Sequence, residues 1–600
     1  MPIEIPFFHS IFQLMENSTK KQYQEFLMDK HLRIGYFAHW FQPAYTTEDF
    51  LHDLGVNAEK IDYSQKNYLE KYDVAIIEQN GFNDYIENDE LYIRDWVKRG
   101  GICLFLHQDY MRWAPYFLPD ELGYTQLIHR HVNTIQDYRI YMMPWIEEAG
   151  KELFEYPERI TPDEMLDWYV PANSFGIAVG PDQCKPEIFR TAAQSCFLAN
   201  PAWEILGSYL DPAVRDGALI LRGKYGKGMY FLNQLMRPEE RVAENDRCFR
   251  FWKKYLPNLL AYFARFKDNM PAPAPIPAAS SLPPKKIHKM AIHMHSLDWY
   301  GCDSMPGTMN ALMRYKNFDI CALSVKDTAP YGGKLDPARF SDDHALFLDG
   351  QEYHPFNWND KHEHLGHNNY HMLAIGIDSD AYTAEFTRSL FSDAEVDAYL
   401  KKALAHIRDH GGASCATHPW CGYWHDYPFD AVDYEELKTI SGTDIEKYWL
   451  SGGKITLMNS VDLFGTRSFY DNPALNFLCL HGEPPCRDNV VKAIKAGHNI
   501  AAAFFDEADI MLGDALPGDT VSARNAAEQE LKISAKISTG KIRHIRVYSG
   551  ADVIWQSEEQ NAEIRRSVSL SGLTLNKFIR VEIEGDKPVH IVCSTPFYLE

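Results

Sequence analysis

Apolar and polar positions along the chain divide it into three stretches of different period. From residue 30 to residue 260, short apolar runs alternate with helical spacing. LRIGYFA from Leu32, YDVAIIE from Tyr72 and GGICLFLH from Gly100 read as buried strands. The stretch YIENDELYIRDWVKRGG, ending at Gly101, carries apolar residues at helical intervals and stops on glycines. Strands that alternate with helices predict a parallel sheet of doubly wound type. Further on, GALILRGKYGKGMYFLNQ from Gly217 predicts two strands joined through a Gly-Lys-Gly turn.

The run MPAPAPIPAASSLPPKK, residues 270–286, is too rich in proline for helix or sheet and predicts an extended spacer. After it, strand–helix alternation resumes to about residue 515. The remainder changes period again. LKISAKIS, KIRHIRVYSG, ADVIWQS, RRSVSLSG, KFIRVEIEG and HIVCSTPFYL are short alternating segments separated by turns, the pattern of an antiparallel sandwich. The expected fold is therefore α/β multidomain, with domains at 1–269, 287–514 and 515–600 and a linker at 270–286.

Composition narrows the function classes. Hydrophobic residues make up 45% and charged residues 24% of 600, an ordinary globular balance. A net charge of −23 argues against a general nucleic-acid binder, which needs a basic face. Eleven Cys without a CxxC pair match neither a disulfide framework nor a zinc finger, so a reduced, cytoplasmic protein is expected. The first residues, MPIEIPFFHSIFQLMENSTKK, lack the pattern of a signal peptide, and no apolar run is long enough to span a membrane. The Tyr and Trp content suits pockets for flat or sugar-like ligands.

Candidate chemistry concentrates in the middle stretch. In Met290-Ala-Ile-His-Met-His295, positions i and i+2 of a strand share a face, so His293 and His295 can grip one ion. In ALFLDGQEYHP an apolar strand is expected to end at Gly350, with Glu352 just beyond it. His371 heads the apolar run MLAIGI, His418 follows the small-residue strand ASCAT, and Asp462 follows the strand ending at Met458. Each has a structural alternative: a helix N-terminal acid for Glu352, a core histidine for His371, a turn former for Asp462. Repetition favours the ligand reading, because five strand ends each deliver a metal-capable side chain, and such ends converge at one face of a barrel.

In the order HxH, Gly-x-Glu, His before a strand, His-Pro and Asp-x-x, this stretch resembles the PHP (polymerase and histidinol phosphatase) superfamily, nearest its carbaryl-hydrolase-like branch. DNVVKAIKAGHNI, ALPGDTV and STPFYL extend the resemblance through residues 287–600. It implies a distorted (β/α)7 PHP-like barrel followed by an antiparallel β-sandwich. It also implies a first divalent ion on His293, His295, Glu352 and Asp462, and a second on the bridging Glu352 with His371 and His418. The family's third ion is not expected: one of its histidines aligns with Lys326, the other with Phe464. Two divalent metal ions (Zn, Mn or Fe) are thus implied. Residues 30–260 resemble the class I glutamine amidotransferase-like fold, in its trehalose-utilisation branch, through WVKRGGICLFLH and YGKGMYFL. Cys103 sits where that family's nucleophile invites comparison, but inside an apolar run, so the domain is expected to be non-catalytic.

These readings converge on a metal-dependent hydrolase in which a hydroxide held between two metals cleaves a phosphoester or a carboxylic or carbamic ester of a small molecule. Asp462 and Lys326 are the expected catalytic groups, with the Lys326 ammonium facing an anionic substrate oxygen. His354, Trp299, Trp420, Trp424 and His425 are expected to line the substrate pocket, and the run from His354 to Asn369 reads as a loop over it. Two rival readings stay open: a non-catalytic metal- and carbohydrate-binding scaffold, and a glycan-processing enzyme. A docked N-terminal domain is compatible with a homo-oligomer. Neither a nucleic-acid nor a membrane partner is expected.

Overall fold

The computed structural model describes residues 32–38, 45–82, 84–108, 113, 117–123, 125–129, 145–165, 195–208, 217–238, 246–270, 282–294, 310, 313–314, 316–324, 340–353, 355–357, 371–386, 389–390, 392–417, 423–434, 437, 440–460 and 474–600. The chain forms two compact units, Met1–Ala278 with Met305–Ala311, and Ala279–Ser304 with Leu312–Glu600. Both combine helices and sheets, so this is an α/β multidomain protein. Among the described residues no helix is long and apolar enough to cross a membrane.

In the first unit, strands β1 (Ile34–Phe37), β2 (Val74–Ile77) and β3 (Ile102–Phe105) pair in parallel, and all twelve of their residues are buried. Burial on both faces explains why these segments are continuous apolar runs rather than alternating ones. Helix α1 (Glu90–Arg99) precedes β3 and buries Ile93, Trp96 and Val97, the i, i+3, i+4 stripe of an amphipathic helix, before stopping at Gly100. Strands β4 (Gly217–Tyr225) and β5 (Gly228–Asn233) form the expected antiparallel hairpin, with Gly226 at φ +60 in the turn. Because β5 also pairs in parallel with β3, the hairpin is fused to the parallel core. Helix α2 (Arg247–Lys267) is started by the Asp246 carboxylate, which accepts from the Cys248 and Phe249 amides.

Among its described residues the second unit has four sheets, the smallest a parallel pair of Phe356–Asn357 with Ser389–Leu390. The largest begins with β6 (Ile287–Met294), β7 (Ile320–Leu323) and β8 (Leu346–Leu348), all parallel. A second sheet contains β9 (Gly350–Tyr353), β10 (Met372–Ile375), β11 (Ala413–Ala416), β12 (Ala431–Asp433) and β13 (Thr456–Met458). There β9, β10 and β11 run antiparallel, and β11, β12 and β13 run parallel. The sequence pattern predicts one apolar strand, ALFLDG, ending at Gly350 with Glu352 beyond it. The chain instead changes sheets at Asp349, so Gly350 opens a new strand and Glu352 lies inside it. A side chain at 350 would meet the Leu323 carbonyl oxygen at 2.1 Å, which is why glycine stands at the crossing.

From β6 the largest sheet continues through β14 (Ala474–Cys479) and β15 (Asn499–Ala503) into the tail strands. Strand β15 pairs with β21 (Ile591–Ser594), and the sheet runs on through β20 (Phe578–Gly585) and β18 (Ile542–Ser549). A third sheet pairs β16 (Glu507–Leu512), β17 (Glu530–Lys536) and β19 (Glu563–Ser569), all antiparallel. The tail segments are therefore the antiparallel strands that their alternation predicts, yet the largest sheet joins β18, β20 and β21 to the central strands. A single hydrophobic core likewise combines Tyr353, Met372, Val432 and Leu457 with Phe578, Ile591 and Tyr598.

Candidate metal centre

The antiparallel register of the second sheet gathers side chains at one edge. Tyr353 faces Met372, and Met372 faces Ala416, so the start of β10 lies beside the ends of β9 and β11. His371, immediately ahead of β10, is thereby brought to the Glu352 carboxylate, with its Nδ1 2.9 Å from Glu352 Oε1. Its carbonyl accepts from the Thr417 amide just past β11, at 3.1 Å. Strands β12 and β13 run parallel to β11, so Asp433 and Ser460 arrive at the same edge.

His293 reaches this cluster from the other sheet. The alternation argument for an HxH pair does not hold at this residue. The register of β6 shifts between Ala291 and Met294, and His293 has left-handed backbone at φ +58. A bulge of this kind re-aims a side chain, and strained residues collect at functional sites. The His293 Nε2 atom lies 3.4 Å from Glu352 Oε1, and its Nδ1 lies 3.4 Å from Asp433 Oδ2. Ser460 donates a short hydrogen bond to the same Asp433 oxygen, and its Oγ stands 3.5 Å from His293 Nδ1. His293, Glu352, His371, Asp433 and Ser460 are each at most 2% exposed.

Two carboxylates sealed from water need compensating positive charge. Burial pushes the Glu352 carboxyl upward, but the adjacent His371 and His293 imidazoles prevail and hold it well below the usual carboxylate range. When a neutral His293 donates its Nδ1–H toward Asp433, the Nε2 lone pair faces the Glu352 oxygen. Two electron-pair donors that close require a cation between them, either a proton or a metal ion. The donor set of imidazoles and carboxylates suits a divalent transition metal. Among the described residues, however, no group of three or more His, Cys, Asp or Glu side chains is arranged to hold a metal ion.

Of the residues singled out in the sequence, His293, Glu352 and His371 come together. His295, His418, Asp462, Lys326, His354, Trp299 and Trp420 lie outside the described residues. Trp424 is 1% exposed and packs in the hydrophobic core, with His425 and Tyr448 against its ring. Asp433 was not anticipated. It ends a short apolar strand, the same signal that marked the other candidates, but acids at 430, 435 and 436 obscured it. In the first unit, Cys103 is fully buried within β3, and burial pushes its thiol far up, the opposite of an activated nucleophile.

No family model matches the chain, and no curated protein matches it. Among solved structures, similarity extends to a two-domain protein from Bacteroides vulgatus described as containing a predicted PHP-like metal-dependent phosphoesterase. Identity is 12%, with 54% of this chain and 96% of that chain covered and a TM-score of 0.28. A cold-adapted β-galactosidase from Rahnella sp. R3 is 12% identical over 40% of this chain and 32% of its own, with a TM-score of 0.23. A cytoplasmic protein from Salmonella typhimurium LT2 is 12% identical over 39% of this chain and 99% of its own, with a TM-score of 0.22. Likenesses this slight carry no weight for fold or chemistry.

Proposed function

We propose that the second unit is a metal-dependent hydrolase acting on a phosphoester, or on a carboxylic or carbamic ester, of a small molecule. The observation that carries this reading is the buried approach of His293 and His371 to one oxygen of Glu352, with Asp433 behind His293. In this reading the unit is the distorted (β/α)7 barrel with a C-terminal sandwich that the sequence resemblance implies. His293, His295, Glu352 and Asp462 would hold one divalent ion, and Glu352, His371 and His418 a second. Such ions supply Lewis acidity that neutralises negative charge developing on a substrate oxygen. The protein's own groups prepare that site. Asp433, itself bonded by Ser460, lies 3.4 Å from His293 Nδ1 and would accept its proton in a hydrogen bond, so that Nε2 would offer its lone pair to the ion. Lys326 would face an anionic oxygen of the substrate.

The test is turnover of nitrophenyl phosphate and nitrophenyl acetate by the purified full chain, with and without added Zn²⁺ or Mn²⁺. Metal-dependent hydrolysis that Glu352→Gln abolishes supports the reading. Metal-independent hydrolysis, or none with a fully loaded protein, contradicts it. One observation favours a second reading, a non-catalytic scaffold whose remnant site binds metal only structurally: Lys326 and Phe464 stand where the resemblance would place the histidines of a third ion. In that case metal raises the melting temperature without turnover.

A further inference from the structure

Strand β13 is the last strand of the second sheet, and among the described residues no strand pairs along its outer side. That side is nevertheless buried, and buried backbone groups need partners. Every second residue of an extended chain turns its N–H and C=O to the same side, here Ile455, Leu457 and Asn459. Side chains alone meet all six groups. The Tyr598 hydroxyl accepts from the Ile455 amide at 3.2 Å, and the Trp449 indole donates to the Ile455 carbonyl at 3.3 Å. The Thr595 hydroxyl accepts from the Leu457 amide at 3.3 Å, and Asn499 Nδ2 donates to the Leu457 carbonyl at 2.7 Å. Asn476 takes both groups of Asn459: its Oδ1 accepts from the amide and its Nδ2 donates to the carbonyl, each at 3.0 Å.

Asn476 holds the end of this ladder that borders the metal centre. Asn459 immediately precedes Ser460, whose hydroxyl donates to Asp433 and stands 3.5 Å from His293 Nδ1. Gripping the N–H and the C=O of one residue fixes the peptide planes on both sides of its Cα, and the second of those planes carries the Ser460 nitrogen. In the register of the largest sheet Asn476 lies opposite Met290 of β6, three residues before His293. One side chain thus ties the strand that carries His293 to the segment that carries Ser460. Asn499 Nδ2 steadies it from behind, donating to Asn476 Oδ1 at 3.0 Å, and both asparagines are fully buried. The Asn459 side chain extends the clamp: its Oδ1 accepts from the Leu437 amide at 3.3 Å, and its Nδ2 donates to the Ala502 carbonyl at 2.7 Å.

We propose that Asn476 is a positioning residue for the metal centre: by clamping Asn459 it sets the place from which Ser460 braces Asp433 behind His293. The inference rests on the reading of His293 as a metal ligand. A planar amide suits the task because it offers a donor and an acceptor side by side, as a peptide group does, and so stands in for the missing strand neighbour. An apolar residue at 476 would leave the Asn459 amide and carbonyl buried without partners. A single hydroxyl would meet one of the two. The rest of the ladder closes the seam between the two sheets. At its far end Tyr598 holds Ile455, five residues before Ser460, so loss of that hydroxyl affects stability and not the metal centre.

The test compares Asn476→Ala, Asn476→Ser and Tyr598→Phe with the parent, all as full chains. Three quantities are read: the melting temperature without metal, Co²⁺ affinity by competition against a chelator, and the visible absorption spectrum of the Co²⁺ form, which reports ligand geometry. Asn476→Ala and Tyr598→Phe should both lower the melting temperature, since each frees a buried backbone group. Asn476→Ala alone should shift the Co²⁺ bands and weaken Co²⁺ binding by about tenfold, the loss typical of a group that orients a ligand from behind. Asn476→Ser should fall between it and the parent, and it decides the matter if the alanine variant does not fold. A parent-like spectrum and affinity in the Asn476 variants overturns this inference alone. So does a Tyr598→Phe variant whose Co²⁺ site is disturbed as strongly, or failure of both Asn476 variants to fold, because the ladder is then only structural. A folded parent that takes up no Co²⁺ overturns the metal-centre reading, and this inference with it.

Discussion

Replacing Asp433 by asparagine removes one charge and almost no volume from behind His293. The carboxylate is fully buried, lies 3.4 Å from His293 Nδ1, and takes a hydrogen bond from Ser460 on the same oxygen. At an effective dielectric of about 20, two full charges at that separation interact by about 5 kcal/mol. A metal-bound imidazole carries only part of a charge, so the expected loss is about 1.5–2.5 kcal/mol, or about 10–100-fold in metal affinity, the range typical of groups that orient a ligand histidine. Competition against a chromogenic chelator measures this directly. The metal-free variant should be as stable as the parent or more so, because a buried negative charge has been removed from behind His293. That split separates an orienting role from a structural one. Ser460→Ala should give a smaller loss of the same kind. If Asp433→Asn bound metal as tightly as the parent, or lost stability without metal as fast as it lost affinity with it, the orienting role would be refuted.

Glu352→Gln should lower metal occupancy and ester turnover by more than about 100-fold. Asp349→Asn should leave both nearly intact, because the Asp349 carboxylate accepts from the Tyr382 hydroxyl at 2.7 Å, a contact that the amide oxygen of asparagine can keep; elemental analysis and steady-state kinetics decide between them. Gly350→Ala places a carbon 2.1 Å from the Leu323 carbonyl oxygen and 3.0 Å from that of Ala374, so it should destabilise the second unit by about 1–3 kcal/mol in urea denaturation. Cys103→Ser should leave turnover unchanged while lowering the melting temperature, since a hydroxyl replaces a fully buried thiol at a cost of about 1–3 kcal/mol. Loss of turnover in that variant, with folding and metal content intact, would make the first unit an enzyme in its own right.

The strands most legible in the sequence were those whose burial is simplest. Ile34–Phe37, Val74–Ile77 and Ile102–Phe105 are buried on both faces, and the tail strands alternate with period two, so composition and spacing suffice for them. The three ligand candidates that meet, His293, Glu352 and His371, are legible as metal-capable side chains beside apolar runs, although Glu352 lies inside its strand rather than beyond it. What the pattern could not carry was tertiary. The passage from β8 to β9 at Asp349 depends on a carbonyl from another strand crowding position 350. The bulge at His293 is invisible to an argument from alternation. Asp433 matters only because β12 and β13 run parallel to β11, a pairing that no local signal encodes. The joining of tail and centre in one sheet rests likewise on a single long-range pair, β15 with β21.

Metal stoichiometry of the full chain tests the central claim most directly. The protein is stripped with chelator, reloaded with Zn²⁺ or Mn²⁺, freed of excess ion, and measured by elemental analysis alongside Glu352→Gln. The account predicts about two tightly held ions per parent chain, the number a bridged pair requires, and a clear loss of both in the variant. A folded parent that retains no ion, or a variant that retains as many as the parent, would contradict it.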